Sequence, residues 1–410
     1  SFSKNETEKI LEALDRLKIL DPACGSGAFP MGVLQKIVMA LQKLDRNSEW
    51  WKARQISRIE NPVLRKQVKE KLQQSTVEYA RKIGIIQNSL YGVDIQPIAA
   101  EISKLRCFLT LIVDENIDET KSNRGVEPLP NLEFKFVTAD TLRKLPEEKQ
   151  QMGLFDNRLE LEELQEIRLE YLQSYGEHKT ELKNNFLQLQ KQIFKEQLLN
   201  SGREDSRAYK VSSWNPFGND KVDWFDPLWM YGVKDFDVVI GNPPYVEFKN
   251  LEKSIKATLL NFKTTRGKYD LYIPFVERPK ELLKEGGTLC YICPTRFMHR
   301  DYGEELRKFI ITEFKVLDIV DFADKQVFKT ATTYTGVFQF ENSSSSNYDF
   351  QYSKSIDKQD CLQISSNRLT HKPWYFENEG VTDLFNRLRA KSETLESISD
   401  GIFQGIATGK

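Results

Sequence analysis

The chain has 410 residues, 59 Lys and Arg against 60 Asp and Glu, and 40% hydrophobic residues. That length allows more than one domain and a large core. A formal charge of −1 excludes a generally basic nucleic-acid binder, so any DNA contact has to come from a local patch or from another part of a longer protein. No apolar run reaches membrane length and Ser1-Phe2-Ser3-Lys4 has no signal-peptide pattern, so a cytoplasmic protein without a membrane partner is expected. Cys290 and Cys293 lie in an apolar strand-like run where residues three apart face opposite sides, and with only three histidines no metal site is expected.

In chain order, Ile19 and Leu20 form a short strand that ends in Asp21-Pro22-Ala23-Cys24-Gly25-Ser26-Gly27-Ala28-Phe29-Pro30, a small-residue turn opening an amphipathic helix to about Leu44. Gly25 and Gly27 allow a ligand to lie against the backbone at the carboxyl end of the strand. The turn is neither G-x-G-x-x-G nor a P-loop, and Asp21 favours a cationic ligand group over a phosphate. Residues 45–87 have helical period and read as an insertion packed outside the sheet. A second strand then ends in Asp94-Ile95, and an acid there can accept both hydroxyls of a ribose; the competing reading is a solvated strand-end acid. Residues 128–140 supply a third strand ending in Asp140, placed to accept from the exocyclic amine of an adenine with Thr141 or Leu142 against the ring. Three acid-tipped strands beside a glycine turn describe a pocket for an adenosine ligand that carries no phosphate.

Residues 143–210 are rich in Glu, Lys, Gln and Leu and read as solvated helices or an antiparallel hairpin. The β-branched run 237–240 follows as a buried strand and stops in Gly241-Asn242-Pro243-Pro244-Tyr245. Consecutive prolines fix φ near −65° and remove two donors, leaving a stiff loop that offers carbonyls. An Asn side-chain oxygen beside a Pro carbonyl can accept both hydrogens of a ring-attached amine, while Tyr245 gives a flat face for the ring. The competing reading is an ordinary Pro-rich turn. From 246 to 268 six Lys and Arg face two Glu, a local +4 that suits a polyanion or a solvated loop. Further strands are expected at 286–294, 316–322 and 333–340, with Phe328 in a connecting loop where an exposed aromatic could face the same base as Tyr245. Seven strands alternating with helices indicate an α/β fold, a doubly wound, mostly parallel seven-stranded sheet. Residues 1–345 are expected to form this domain, and 346–410 a linker.

Asp21-Pro-Ala-Cys-Gly-Ser-Gly, Gly92-Val-Asp94-Ile, Ala139-Asp140 and Asn242-Pro-Pro-Tyr245, in this order, resemble the motifs of gamma-class DNA adenine-N6 methyltransferases. The spacing, the helical insertions, Trp224-Phe-Asp-Pro-Leu-Trp-Met and Tyr269-Asp-Leu-Tyr look most like the methylase part of type IIG restriction-modification enzymes. The resemblance implies a Rossmann-like methyltransferase fold, S-adenosylmethionine as donor and double-stranded DNA as partner, with no metal in the methylation step. It implies Asp21, Pro22, Ala23, Gly25, Gly27 and Phe29 around the methionine half, Asp94 and Ile95 at the ribose, and Asp140 and Thr141 at the adenine. It also implies Asn242, Pro243 and Pro244 at the target amine, and Tyr245 and Phe328 on a base flipped out of the duplex. Two departures stand out: no aromatic-Thr-Pro motif occurs in residues 1–18, and Gly405-Ile-Ala-Thr-Gly409, which in the family leads into a target-recognition domain, closes the chain. Weakened cofactor affinity and loss of sequence-specific DNA binding are therefore expected. The alternatives are a methyltransferase acting on a protein glutamine or an rRNA base amine, which share the Asn-Pro-Pro loop, or an inactive core.

Overall fold

The computed structural model describes residues 2–115, 119–120, 124, 130–146, 158–195, 203–267, 269–323, 325, 334–377, 379–393 and 397–399. Among the described residues its centre is a sheet of nine strands in the order β3-β2-β1-β4-β5-β7-β6-β8-β9. The strands are β1 Ile19–Asp21, β2 Leu90–Asp94, β3 Phe136–Thr138, β4 Phe236–Gly241, β5 Leu283–Pro294, β6 Lys315–Asp321, β7 Thr335–Glu341, β8 Asp349–Ser353 and β9 Leu362–Ser365. β1 pairs in parallel with β2 on one side and β4 on the other, so the strand order reverses at β1. In an open α/β sheet a crevice opens at such a reversal, outside the carboxyl ends of the strands.

Period-two alternation divides the sheet faces. Ile19, Val238 and Ile240 pack with Leu34, Ile37 and Leu41 of α2 (Ala28–Leu44), and with Tyr79, Ile83 and Ile86 of α5 (Val77–Asn88). Leu20 and Val239 face the other way, into a second core. That core includes Leu164, Ile167 and Tyr171 of α7 (Arg158–Tyr171) and Leu182, Phe186 and Leu189 of α8 (Gly176–Ile193). The α7–α8 hairpin expected as solvated helices thus buries one apolar face against the sheet side of the molecule. Within the insertion, α3 (Glu49–Ser57) and α4 (Pro62–Gln74) precede α5. Asn61 caps α4 by accepting from the Val63 and Leu64 N–H groups, with Pro62 at its first turn. α6 (Pro97–Ile112) follows β2.

The seven-stranded expectation is corrected to nine, with β7 antiparallel to both β5 and β6. The two extra strands lie where a linker was expected. β8 pairs in parallel with β6 and β9 antiparallel with β8, and Phe350, Tyr352 and Ile364 are buried at alternate positions. Without them β6 would present unpaired backbone groups along an exposed edge. Among the described residues no helix is long and apolar enough to cross a membrane.

Candidate functional site

The carboxyl ends of β1, β2, β3 and β4 enclose a cavity of about 330 Å³, within the range of small-molecule sites. Pro22, Ala23, Gly25, Asp94, Ile95, Asp140, Thr141, Asn242 and Pro244 from the sequence-derived set line it. Gly25 has φ +54°, a left-handed conformation that costs glycine little. A Cβ added there would meet nothing within 4 Å, so the turn leaves open space on the cavity side. Gly27 is different: at φ +80° its missing Cβ would sit 2.9 Å from Ser103 Oγ, and the turn is pressed onto α6. Phe29 and Gly27 do not line the cavity; they set the turn and the start of α2.

Each acid at a strand end has a defined local task. Asp94 Oδ2 accepts from the Gly25 N–H at 2.8 Å and Oδ1 from the Gln96 N–H at 2.9 Å, which locks the glycine turn to the end of β2. A carboxylate has about four lone-pair sites, so Asp94 keeps acceptor capacity toward the cavity. Asp140 Oδ1 accepts from the Leu142 N–H at 3.1 Å, and its Oδ2 lies 3.4 Å from Arg143 Nε. Burial raises the Asp140 carboxyl above its ordinary range, against the opposing Leu142 N–H and Arg143. Thr141 uses its hydroxyl internally, donating to the Pro22 carbonyl at 2.7 Å and tying the β3 loop to the β1 loop. Buried Arg278 donates to the Thr141 carbonyl at 2.9 Å and holds that loop from below.

Asp21 departs from its expected place. It is 1% exposed and does not line the cavity. Its Oδ1 accepts from the Ala23 N–H at 3.2 Å and lies 2.7 Å from where a Cβ on Gly241 would stand, while Oδ2 is enclosed without a partner among the described residues. Burial pushes its pKa up to about 8, with Asp94 adding to the rise. The carboxyl therefore lies between β1 and the end of β4, under the Asn242 loop, and only Gly at 241 leaves it room.

Asn242 stands half-buried at the cavity, with Oδ1 enclosed and, among the described residues, without a hydrogen-bond partner. Pro243 is buried and Pro244 forms part of the wall. Tyr245 lies outside the lining: its hydroxyl donates to the Ile292 carbonyl at 3.0 Å and its ring meets Tyr272 edge-on, 6.5 Å between centroids at 80°. Burial raises the phenol well above its ordinary range, so it stays a neutral donor. Phe328 lies outside the described residues. The opposite wall, which the motifs do not mark, is Ile255, Thr258 and Leu259 of the helix Lys253–Leu259, with Leu271 and Phe275. The i, i+4 spacing of Ile255 and Leu259 was the available signal, overlaid by the basic residues around it.

The Eco57I restriction-modification methylase model matches residues 88–328. The chain is 29% identical over 230 residues to the type II restriction enzyme and methyltransferase RM.Eco57I of Escherichia coli, covering 53% of this chain and 22% of that protein. It is 26% identical over 372 residues to the putative type II restriction enzyme and methyltransferase RM.MjaORFECS2P of Methanocaldococcus jannaschii, covering 76% and 28%. It is 28% identical over 246 residues to the type II methyltransferase M.BstVI of Geobacillus stearothermophilus, covering 50% and 43%. The matches thus span well under half the length of each relative.

Proposed function

The chain belongs to the Eco57I restriction-modification methylase family, and from that premise we propose that it transfers a methyl group from S-adenosylmethionine to adenine N6 in DNA, as the modification part of a restriction-modification system. The observation that carries this reading is the enclosed, unpartnered Asn242 Oδ1 at the rim of a cavity walled by Asp94 and Asp140. A buried acceptor left unsatisfied costs about 1–3 kcal/mol, and a ligand amine that fills it recovers that cost.

The open space at Gly25, the two acids and the apolar Ile95, Leu142 and Phe275 fit a nucleoside with a charged amino-acid tail better than a phosphate-bearing nucleotide. S-adenosylmethionine supplies a methyl group activated by a positively charged sulfur. In this reading the Gly25 turn with Pro22 and Ala23 holds the tail, Asp94 the ribose hydroxyls and Asp140 the adenine amine. Asn242 Oδ1 and the Pro243 carbonyl accept the two hydrogens of the target amine. Their pull would draw the nitrogen lone pair out of ring conjugation and aim it at the methyl carbon, whose bond to sulfur would break with its electron pair kept by the sulfur, and the proton of the cationic nitrogen would pass to water. Tyr245, fixed through its hydroxyl, offers its ring to the extruded base. Catalysis is then positioning and alignment, with no covalent intermediate on the protein.

The test is Asn242→Ala, assayed with labelled cofactor on duplex DNA and, in parallel, on ribosomal RNA and protein substrates. Transfer to DNA is expected to fall by roughly two to three orders of magnitude while S-adenosylhomocysteine binding is kept. Parallel loss of binding and transfer would remove Asn242 from the target side. Transfer to RNA or protein in preference to DNA would replace the substrate.

A further inference from the structure

Four of the six cations expected as a basic lip are engaged by neighbouring groups; Lys253 is exposed and Lys268 lies outside the described residues. Lys249 lies 2.7 Å from Glu247, Lys263 3.9 Å from Glu313 and Arg266 4.0 Å from Glu305, while Lys256 lies over the Phe248 ring at 4.6 Å. Positive charge without an ion pair among the described residues also appears where two distant segments meet. The chain leaves β5 beside the Asn242 loop, to which Tyr245 ties it, and turns through residues 295–300. After β9, residues 366–377 return to this turn. The Trp374 N–H donates to the Met298 carbonyl at 2.8 Å and the buried indole packs edge-on against Phe297 at 6.0 Å. Buried Arg307 fastens the two segments, donating to the His371 carbonyl at 2.8 Å and the Arg300 carbonyl at 2.9 Å.

The junction stacks His299 on Tyr375, with centroids 4.9 Å apart and 22° between the rings. Tyr375 is 61% exposed, a flat face on a rigid support. Burial holds the His299 imidazole below its ordinary protonation range. Arg296, Arg300 and Lys372 are exposed around it, and none forms an ion pair among the described residues. Asp301 is the acid of the same stretch, and the Arg296 charge also acts on Glu247 and Asp270 without a contact within 4.0 Å; Glu304 and Glu305 are taken up by Lys308 at 2.7 and 3.0 Å. Unpaired cations around an exposed, rigid aromatic match a chain of phosphates with flat bases.

We propose that Arg296, Arg300 and Lys372, with the Tyr375 face, form the surface that holds duplex DNA beside the target-amine loop. The cations take backbone phosphates, and Tyr375 rests against a base or deoxyribose next to the extruded nucleotide. This rests on the reading of DNA as acceptor and adds a surface that the methylase motifs do not contain.

The test is fluorescence anisotropy of the full chain on two unrelated duplexes across a salt series. The parent is compared with Arg296→Ala/Arg300→Ala/Lys372→Ala, Lys372→Ala alone, Tyr375→Ala and Tyr375→Phe. The log–log salt slope is expected to fall by about 0.9 for each phosphate that is no longer neutralised, equally on both sequences. Tyr375→Ala is expected to weaken binding by roughly tenfold and Tyr375→Phe to restore it. S-adenosylhomocysteine binding is expected to stay at the parent value throughout. Lys372→Ala, at an exposed position, carries the slope test should the triple variant fail to fold. An unchanged slope, no duplex binding by the parent at low salt, or an effect confined to an acidic polypeptide such as polyglutamate would overturn the proposal. Methyl transfer is scored separately. Transfer with unaltered slopes sinks this surface and keeps the methylase reading; altered slopes without transfer do the reverse.

Discussion

Asp94 and Asn242 stand at the ends of the two strands that flank β1, and both border the same cavity. Asp94 has both carboxylate oxygens engaged by backbone N–H groups. Asn242 has its side-chain oxygen enclosed with no donor to accept from among the described residues. On the proposed cofactor side the Asp94 hydrogen bonds also stabilise the fold. The proposed target side holds unmet capacity, a local cost that a ligand can offset.

If that contrast is correct, the two positions respond oppositely to truncation. The largest expected effect is kinetic: Asn242→Ala loses transfer by roughly two to three orders of magnitude, yet its thermal midpoint stays at or slightly above that of the parent, since an orphaned acceptor has been removed. A midpoint several degrees lower would mean that Asn242 is structural. Asp94→Ala should lose both properties. Its S-adenosylhomocysteine affinity should fall by about a hundredfold, and stability by about 1–3 kcal/mol as the Gly25 and Gln96 N–H groups lose their partner. Calorimetry and melting of the same sample check it, and intact stability would break the comparison.

Asp21 sharpens the contrast through pH. Its folded pKa of about 8 lies above the ordinary carboxyl value of 3.8, so the folded state holds its proton where the unfolded state has released it. The associated stability is fully present below about pH 4 and is lost as pH rises through about 8. Asp21→Asn keeps the acceptor for the Ala23 N–H and cannot ionise. Its midpoint relative to the parent should rise between pH 4 and 8, by several degrees on the order implied by linkage. A pH-independent difference would show Asp21 ionised throughout. The smallest effect is Thr141→Val, nearly isosteric, which should cost about 1 kcal/mol through the lost hydroxyl bond to Pro22 and weaken cofactor binding only slightly. Losing binding altogether would put the hydroxyl in contact with the ligand.

The strand ends were legible because their signals are local: a β-branched run, then an acid or a proline pair, within a few residues. Strand-end logic puts the glycine turn, Asp94 and Asp140 at one pocket and Asn242 in a separate acceptor loop, and Gly25, Asp94, Asp140 and Asn242 all line the one cavity. Asp21 shows the limit of that logic. A strand end says where a side chain starts, and the space left by Gly241 on the neighbouring strand decided that its carboxyl turns inward. Residues 349–365 carry the alternation of a strand pair in Phe350, Tyr352, Leu362 and Ile364, but their polar neighbours hid it.

By itself, then, the sequence determined the parallel core of the sheet, the glycine turn and the acceptor-rich loop, because each follows from backbone preferences of adjacent residues. The tertiary structure alone decided the rest: the hydroxyl of Thr141 on a carbonyl 119 residues away, the apolar wall from Leu259 and Phe275, and the cations gathered around Tyr375. Contacts between distant segments depend on which surfaces the folded sheet brings together, and no local pattern encodes that juxtaposition.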